Sequence, residues 1–381
     1  MNIMIKYLYP FMGEFMRNIH YNIIVDAVEK LCIRAATWLP ADIAMQIECA
    51  SECEISPSGT AALEDIMENF KYAAQKGLPI CQDTGMAVVF AEVGQEVHII
   101  GGDFETAINE GVRCGYINGF LRKSVVSDPL RRVNTDDNTP AVIHTKIVSG
   151  DKLKLTVAPK GFGSENMSKM KMFLPSNTRE QIMEFITECV SSAGAQPCPP
   201  VIVGVGLGGT VEKAALLAKQ ALSRSVDTRN ADKYYAEMEE KCLEQINALG
   251  IGPQGFGGIN TALAVNIEVY PTHIAGLPCV VNMGCHATRH AECMSASFQK
   301  EEKKEGQTQT AETARPPEPG GVNTQAGVAR AEGRRGRSEN GSEGGQWRSE
   351  ANRAPGISER YSEQSPLLSV RQESRGAVSA Q

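Results

Sequence analysis

Three cysteines stand at loop edges in polar, glycine- or proline-rich surroundings: Cys81 in PICQDTG, Cys198 in CPPVIVG and Cys285 in NMGCHATRH. The first is the most informative. Cys81, Gln82, Asp83 and Thr84 place a thiol, an amide, a carboxylate and a hydroxyl in four consecutive residues between apolar runs. Burying such a cluster is costly unless its polar groups have a task. The three loops are expected to converge on one metal cluster. Their long separations give no CxxC signature, which argues against a zinc ribbon. Thiolates scattered along a chain but gathered in space suit an iron-sulfur cluster. Three ligands would leave one iron open, and an open iron acts as a Lewis acid on a carboxylate and a hydroxyl. Spacing alone leaves ordinary buried thiols as the other reading. Cys32, Cys114, Cys189 and Cys242 illustrate it inside predicted helices, as does Cys279 in a predicted strand. Cys49, Cys53 and Cys293 are left undecided.

The elements that position these loops follow from periodicity. The segment Pro79 to Phe90 reads as an extended approach, a tight polar turn and a strand. The region before it is helical. Ile23, Ala27, Val28, Leu31 and Ala35 keep helical spacing up to Pro40, Asp42 is read as the cap of a second helix, and a third runs from Thr60 to Gly77. VHII is a short strand, and Asp103 opens a helix to about Leu121. AVIHTKIV and KLKLTVAP read as strands joined by a turn at Ser149, Gly150 and Asp151. Thr178 and Gln181 form a capping box for a helix ending at Gly194. VIVGVG is a buried strand, Thr210 to Leu222 and Ala231 to Leu249 are helices, and ALAVNIEVY and LPCVVNM are late strands. The fold class expected is α/β, a mixture of helices and sheet with a helical N-terminal region.

Composition bounds the rest. A chain of 381 residues with 42% hydrophobic residues can bury a sizeable core. Its net charge of −7 excludes a general nucleic-acid binder. Eleven cysteines is an odd number, and MNIMIKYLYPFMGEF lacks the basic start and cleavage site of a secretory signal. A reducing, cytoplasmic location follows. No run approaches the roughly 20 apolar residues of a membrane span. Residues 1–15 read as an appendage, with Met16 as the natural start. From about Ser297 the chain turns rich in Gly, Ser, Glu, Arg and Gln, so 297–381 is expected to be a disordered tail of the kind a frameshift or read-through produces. The catalytic domain is placed at 16–296.

In order along that domain, PICQDTG, LRKSVV, NTDDNTPAVIH, PKGFGSENMS, CPPVIVGVGLGG, GIGPQGFGG and NMGCHATRHAE closely resemble the alpha subunit of class I fumarate hydratases, the iron-sulfur hydro-lyases that include L-tartrate dehydratase. The resemblance implies that Cys81, Cys198 and Cys285 ligate a 4Fe-4S cluster whose fourth iron binds substrate. It implies that Gln82, Arg122, Gly163 and His273 contact the substrate, and that Asp83 also does and is the acid/base group. The implied reaction is reversible hydration of fumarate to (S)-malate, a step of the tricarboxylic acid cycle, with L-tartrate dehydration as the alternative. It also implies a beta subunit that supplies further substrate contacts, making this chain part of a hetero-oligomer and inactive alone.

The chemistry of the residues agrees with these roles. The proton lost from malate lies next to a carboxylate, so negative charge accumulates there in the transition state, and Arg122 offers a planar fork to meet it. Asp83 has the chemistry of a proton carrier. Three positions depart from the family: Phe162 and Asp136 replace glycines, and Thr288 replaces a small residue. Phe162 is expected to narrow the pocket beside Gly163. Gly204, Gly206 and Gly209 fit GxGxxG, the signature of a nucleotide-binding oxidoreductase, but SRSVDTRNADK does not form the second strand with an acidic end that such a site needs. These glycines are instead expected to let the backbone pass close to the cluster or substrate.

Overall fold

The structure, a computed structural model, describes residues 16–295. The expected appendage and tail, and the start at Met16, bear on residues outside that range or at its edge. The chain is α/β, with two four-stranded sheets, a two-stranded parallel ribbon and flanking helices.

After β1 (Arg17–His20), three helices form the N-terminal region: α1 (Tyr21–Thr37), α2 (Ala41–Cys53) and α3 (Pro57–Lys76). Two boundaries differ from the sequence reading. Pro40, not Asp42, stands at the N-cap of α2, and the Asp42 carboxylate reaches away to accept bonds from Ser225 Oγ (2.8 Å) and the Val226 amide (2.9 Å). Ser56 caps α3 with Pro57 in its first turn, ahead of the expected Thr60, and the helix ends at Gly77 in the left-handed conformation as anticipated.

The first sheet has the order β10-β5-β2-β4, built from β2 (Met86–Gly94), β4 (Val142–Val148), β5 (Leu153–Lys160) and β10 (Ala291–Met294). The expected hairpin between β4 and β5 does not form. β2 lies between them, parallel to β4 and antiparallel to β5. The reason is visible in the burial of each strand: β2 and β5 are mostly buried and take central places, whereas β4 is largely exposed and is left at the edge. β3 (Val97–Ile100) pairs with β1, and α4 (Phe104–Asn118), capped by Asp103, packs with α1 over this sheet.

The second sheet has the order β6-β9-β7-β8: β6 (Lys169–Phe173), β7 (Val201–Gly208), β8 (Ala262–Tyr270) and β9 (Leu277–Gly284). β7 is buried at all eight positions, as its unbroken apolar sequence requires. The four-residue α5 (Phe162–Glu165) leads into β6. Beyond it, α6 (Arg179–Ala193), opened by the expected capping box, and α8 (Lys233–Asn247) cover one face, and α7 (Val211–Ala221) covers the other. Here the glycine pattern finds its purpose. A Cβ at Gly206 would fall 1.9 Å from the Ala214 carbonyl oxygen, and one at Gly204 would fall 2.3 Å from that of Ala218. These glycines let α7 lie directly on β7, which corrects both the dinucleotide reading and the expectation that they approach a cluster.

Candidate functional site

The third apolar core joins α2 and α3 to the beginnings of β7 and β8, and Cys81 and Cys285 sit at its margin. Strand register explains how distant cysteines meet. Cys198 precedes β7 and Cys285 follows the antiparallel β9, with Ile202 opposite Gly284, so both lie at one end of the second sheet. The His286 amide donates to the Cys198 carbonyl (3.1 Å), tying the two loops together. The third loop joins through Arg289, whose Nη2 donates to the Asp83 carbonyl at 2.6 Å. The three thiols are electrostatic neighbours. Cys198 is exposed as a residue, but partial desolvation of its thiol raises its pKa, and the nearby Cys285 and Cys81 raise it further. Burial likewise dominates the raised pKa of Cys285, with Arg289 opposing it. Cys198 is held in the left-handed region at φ 55°, a conformation a non-glycine residue adopts only under constraint from its surroundings. The GIGPQGFGG loop provides some of that constraint: Gln254 donates through its backbone amide and Nε2 to the Pro199 carbonyl, both at 2.8 Å.

The Cys81 turn is anchored from below. Tyr116 of α4, fully buried, donates its hydroxyl to the carbonyls of Thr84 (2.9 Å) and Gly85 (3.0 Å). Asn138 donates to the Gly85 carbonyl (3.2 Å) and accepts from the Ser124 amide (2.7 Å). Thr84 Oγ1 donates to the Arg122 carbonyl (3.0 Å). The LRKS and NTDDNT motifs are therefore pinned to the cysteine turn. Asp136, in place of a family glycine, keeps the positive φ of 63° that suits glycine.

These anchors orient the expected site residues. Asp83 Oδ1 accepts from the Gly85 amide (3.0 Å) and Oδ2 from the Phe162 amide (2.9 Å), which fixes the carboxylate plane and links it to the PKGFGSEN segment. Gln82 is exposed, and Arg122 is exposed with its guanidinium in no ion pair or hydrogen bond among the described residues. At Gly163 an added Cβ would approach only the Gln196 carbonyl oxygen, at 3.8 Å, so packing does not demand glycine there. Phe162 is itself half exposed beside it. Thr288 donates Oγ1 to the Cys285 carbonyl (2.7 Å) and so stiffens the loop it occupies.

His273 lies elsewhere. It follows Tyr270, which pairs with Gly208 at the far end of β7, roughly 23 Å of strand from the cysteine end. Its Nδ1 accepts from the Ala275 amide (3.1 Å), and the ring is exposed. Within one chain the structure brings Gln82, Asp83, Arg122 and Gly163 to the cysteines and leaves His273 apart.

Sequence reasoning missed the buried cations. Lys160, at the end of β5, donates to Ser164 Oγ (2.8 Å), pairs with Glu165 (3.3 Å), and has its pKa pushed down to about 8 by burial. Burial opposes ionisation of Glu165, but Asn282, Lys160 and Lys219 outweigh it and hold the pKa below the usual value. Arg289 is 4% exposed. A small cavity of about 30 Å³ is lined by Lys160, Lys219, Cys285 and Arg289 among others. Nothing in CHATRH marks Arg289 as buried, since a lone charge between histidines and small residues reads as solvated. Among the described residues no three His, Cys, Asp or Glu side chains are gathered tightly enough to hold a single metal ion. Nor is any helix there long and apolar enough to cross a membrane.

The chain is similar to known proteins. The fumarate hydratase (Fumerase) family model matches residues 25–294. A protein of Methanocaldococcus jannaschii named "Putative L(+)-tartrate dehydratase subunit alpha" is 41% identical over 279 residues, covering 70% of this chain and 96% of that relative. The L(+)-tartrate dehydratase subunit alpha of Escherichia coli O157:H7 is 30% identical over 282 residues, covering 73% of this chain and 92% of the relative. That of E. coli strain K12 is 29% identical over the same length.

Proposed function

The chain belongs to the fumarate hydratase (Fumerase) family, and on that premise we propose that it is the alpha subunit of an iron-sulfur hydro-lyase that adds water to, or removes it from, a small dicarboxylate. The observation that carries this reading is that the Cys81, Cys198 and Cys285 loops are bonded together beside a carboxylate, Asp83, whose orientation two backbone amides fix.

The donor set fits a 4Fe-4S cluster better than a lone ion. The Cys81, Cys198 and Cys285 loops are tied together by the bonds of His286 and Arg289, so three thiolates from three loops can face one group. Each cysteine of a cluster binds a different iron, so the sulfurs need not converge within one metal-ligand bond length. When bound, the cluster would supply an open iron able to act as a Lewis acid on hydroxyl and carboxylate. With thiol pKa values raised at Cys198 and Cys285, cluster binding must displace protons, so uptake is expected to weaken at acid pH.

The remaining chemistry belongs to the chain. Asp83 retains lone pairs beyond the two backbone bonds and is assigned to carry the proton at the carbon next to the substrate carboxylate. Arg122 is assigned to meet a substrate carboxylate with its free guanidinium fork. Gln82 is assigned to bond the substrate, and the open space at Gly163 would admit it without a side chain intervening. His273 is outside this set within one chain. Residues 16–296 are assigned as the catalytic unit. The relatives are named alpha subunits, which supports a beta subunit as the partner. The eleven cysteines are all free, which supports a reducing cytoplasm.

Fumarate is the substrate we assign, on the motifs DTGMAVVF and GSENMSKMKM. The names of the relatives favour a second reading, L(+)-tartrate. Both are served by the same residues, because malate and tartrate each lose a hydroxyl from one carbon and a proton from its neighbour between two carboxylates. The test is anaerobic reconstitution with iron and sulfide, with and without the beta subunit, assayed on fumarate and tartrate. Water addition to fumarate only in the reconstituted pair is expected. Activity on tartrate alone selects the second reading, and a chain that takes up no iron overturns both.

A further inference from the structure

Arg289 is a guanidinium 96% withdrawn from solvent, since its exposure is 4%. Arginine stays protonated at any working pH, and a buried charge without a counter-charge is strongly destabilising. Yet among the described residues Arg289 forms no ion pair. Nη1 donates to the Ala287 carbonyl (2.9 Å), Nη2 donates to the Asp83 carbonyl (2.6 Å), and Nε is buried without a partner. The neighbouring charges are already committed. Glu165 is shared by Lys160 and Lys219, and the Asp83 carboxylate faces the amides of Gly85 and Phe162. What Arg289 does share space with is sulfur: it lines one small cavity together with Cys285.

We propose that Arg289 is a positioning residue and fixed counter-charge for the iron-sulfur group, clamping the Cys285 loop to the Cys81–Asp83 turn while its positive charge balances the anionic thiolates. This rests on the proposed cluster. It explains why one guanidinium bonds two carbonyls, one from each ligand loop, and why no carboxylate neutralises it. A carboxylate there would compete for the charge the thiolates need. The same clamp sets where Asp83 stands, because the carbonyl it holds belongs to that residue.

The experiment compares the full chain, wild type, R289Q and R289K, each with the beta subunit and reconstituted anaerobically with ferrous iron and sulfide. R289Q is expected to lose iron to a chelator about tenfold faster, the lower end of what removing a partner outside the ligand set costs. Its cluster midpoint potential is expected to fall, because adding an electron becomes harder without the positive charge. R289K keeps the charge and is expected to hold a potential close to wild type. Wild-type chelation rate and potential in R289Q would overturn the inference, as would equal iron loss in both variants with the potential unmoved, the mark of a purely mechanical strut. If R289Q does not fold, R289K still decides: a midpoint potential matching the wild type is expected, and a potential that falls although the charge is kept overturns the counter-charge role. Failure of the wild type to take up iron and sulfide would sink the underlying cluster reading instead, so the two failures are distinct.

Discussion

The two ends of the second sheet are built from the same strands and differ in almost everything else. At the cysteine end β7 begins and β9 finishes, a non-glycine residue is held at positive φ, two loops exchange a backbone bond, and a buried arginine ties in a third. At the opposite end β7 finishes at Gly208 and Gly209, where glycine adopts positive φ without strain. There His273 and Ile274 face solvent, the latter 90% exposed. One end concentrates constrained backbone and desolvated charge, and the other simply turns the chain. Constraint of this kind is costly, and it persists where the surrounding structure over-determines it, as at a working site.

The largest test of that contrast removes a ligand. Replacing Cys198 or Cys285 by alanine is expected to abolish stable iron binding, read as iron and sulfide per chain after anaerobic reconstitution, while circular dichroism stays close to wild type. Retention of a full complement by either variant would break the comparison at once. Next comes Asp83→Asn. It keeps the size of the side chain and one oxygen to accept from the Gly85 or Phe162 amide, so iron content should hold. Turnover with the beta subunit is expected to fall by roughly 10²–10⁴-fold, the usual contribution of a positioned proton carrier. Unchanged turnover would remove Asp83 from the chemistry and leave it a structural link.

Much of this architecture was legible in the sequence because local signals and burial pointed the same way. The Thr178 capping box, the Gly77 terminus and the fully apolar β7 all formed where the pattern placed them. The failures are equally physical. Ser149, Gly150 and Asp151 do make a turn, but strand pairing is decided by which strands are buried on both faces, and that placed β2 between β4 and β5. GVGLGG looked like a ligand loop because glycine patterns report close approach without reporting what approaches, and here it is a helix. At the site, the words around Cys81, Cys198 and Cys285 are what pointed to them, and the loops that carry them do meet. Nothing pointed to Lys160 and Arg289, since a lone charge in sequence is most often solvated, and only the fold reveals that it is buried.

Lys160 gives a smaller test at the constrained end. Its folded pKa, pushed down to about 8 by burial, lies below that of a solvated lysine, so the folded chain releases this proton at lower pH than the unfolded chain. Where the unfolded state binds more protons, stability rises with pH. The penalty of burying charged Lys160 is fully present below pH 8 and is relieved as pH rises towards the value of the unfolded chain. Against Lys160→Met, which cannot titrate, the wild type should gain about 2 kcal/mol between pH 8 and 10, measured by urea unfolding. A flat difference would mean that Glu165 holds the lysine charged throughout, making the pair a fixed dipole rather than a strained cation.

The smallest effect belongs at the far end. His273→Ala removes an exposed ring whose one bond is to an amide two residues away, so stability should change by no more than about 0.5 kcal/mol. Iron content should match the wild type, because roughly 23 Å of strand separates the position from the cysteines. The informative measurement is turnover with iron content held equal. Unchanged turnover leaves the two ends as unlike as they look. A large fall would require His273 to meet substrate bound on a different copy of the chain, since no side chain spans that distance, and the far end of one chain would then complete the near end of another.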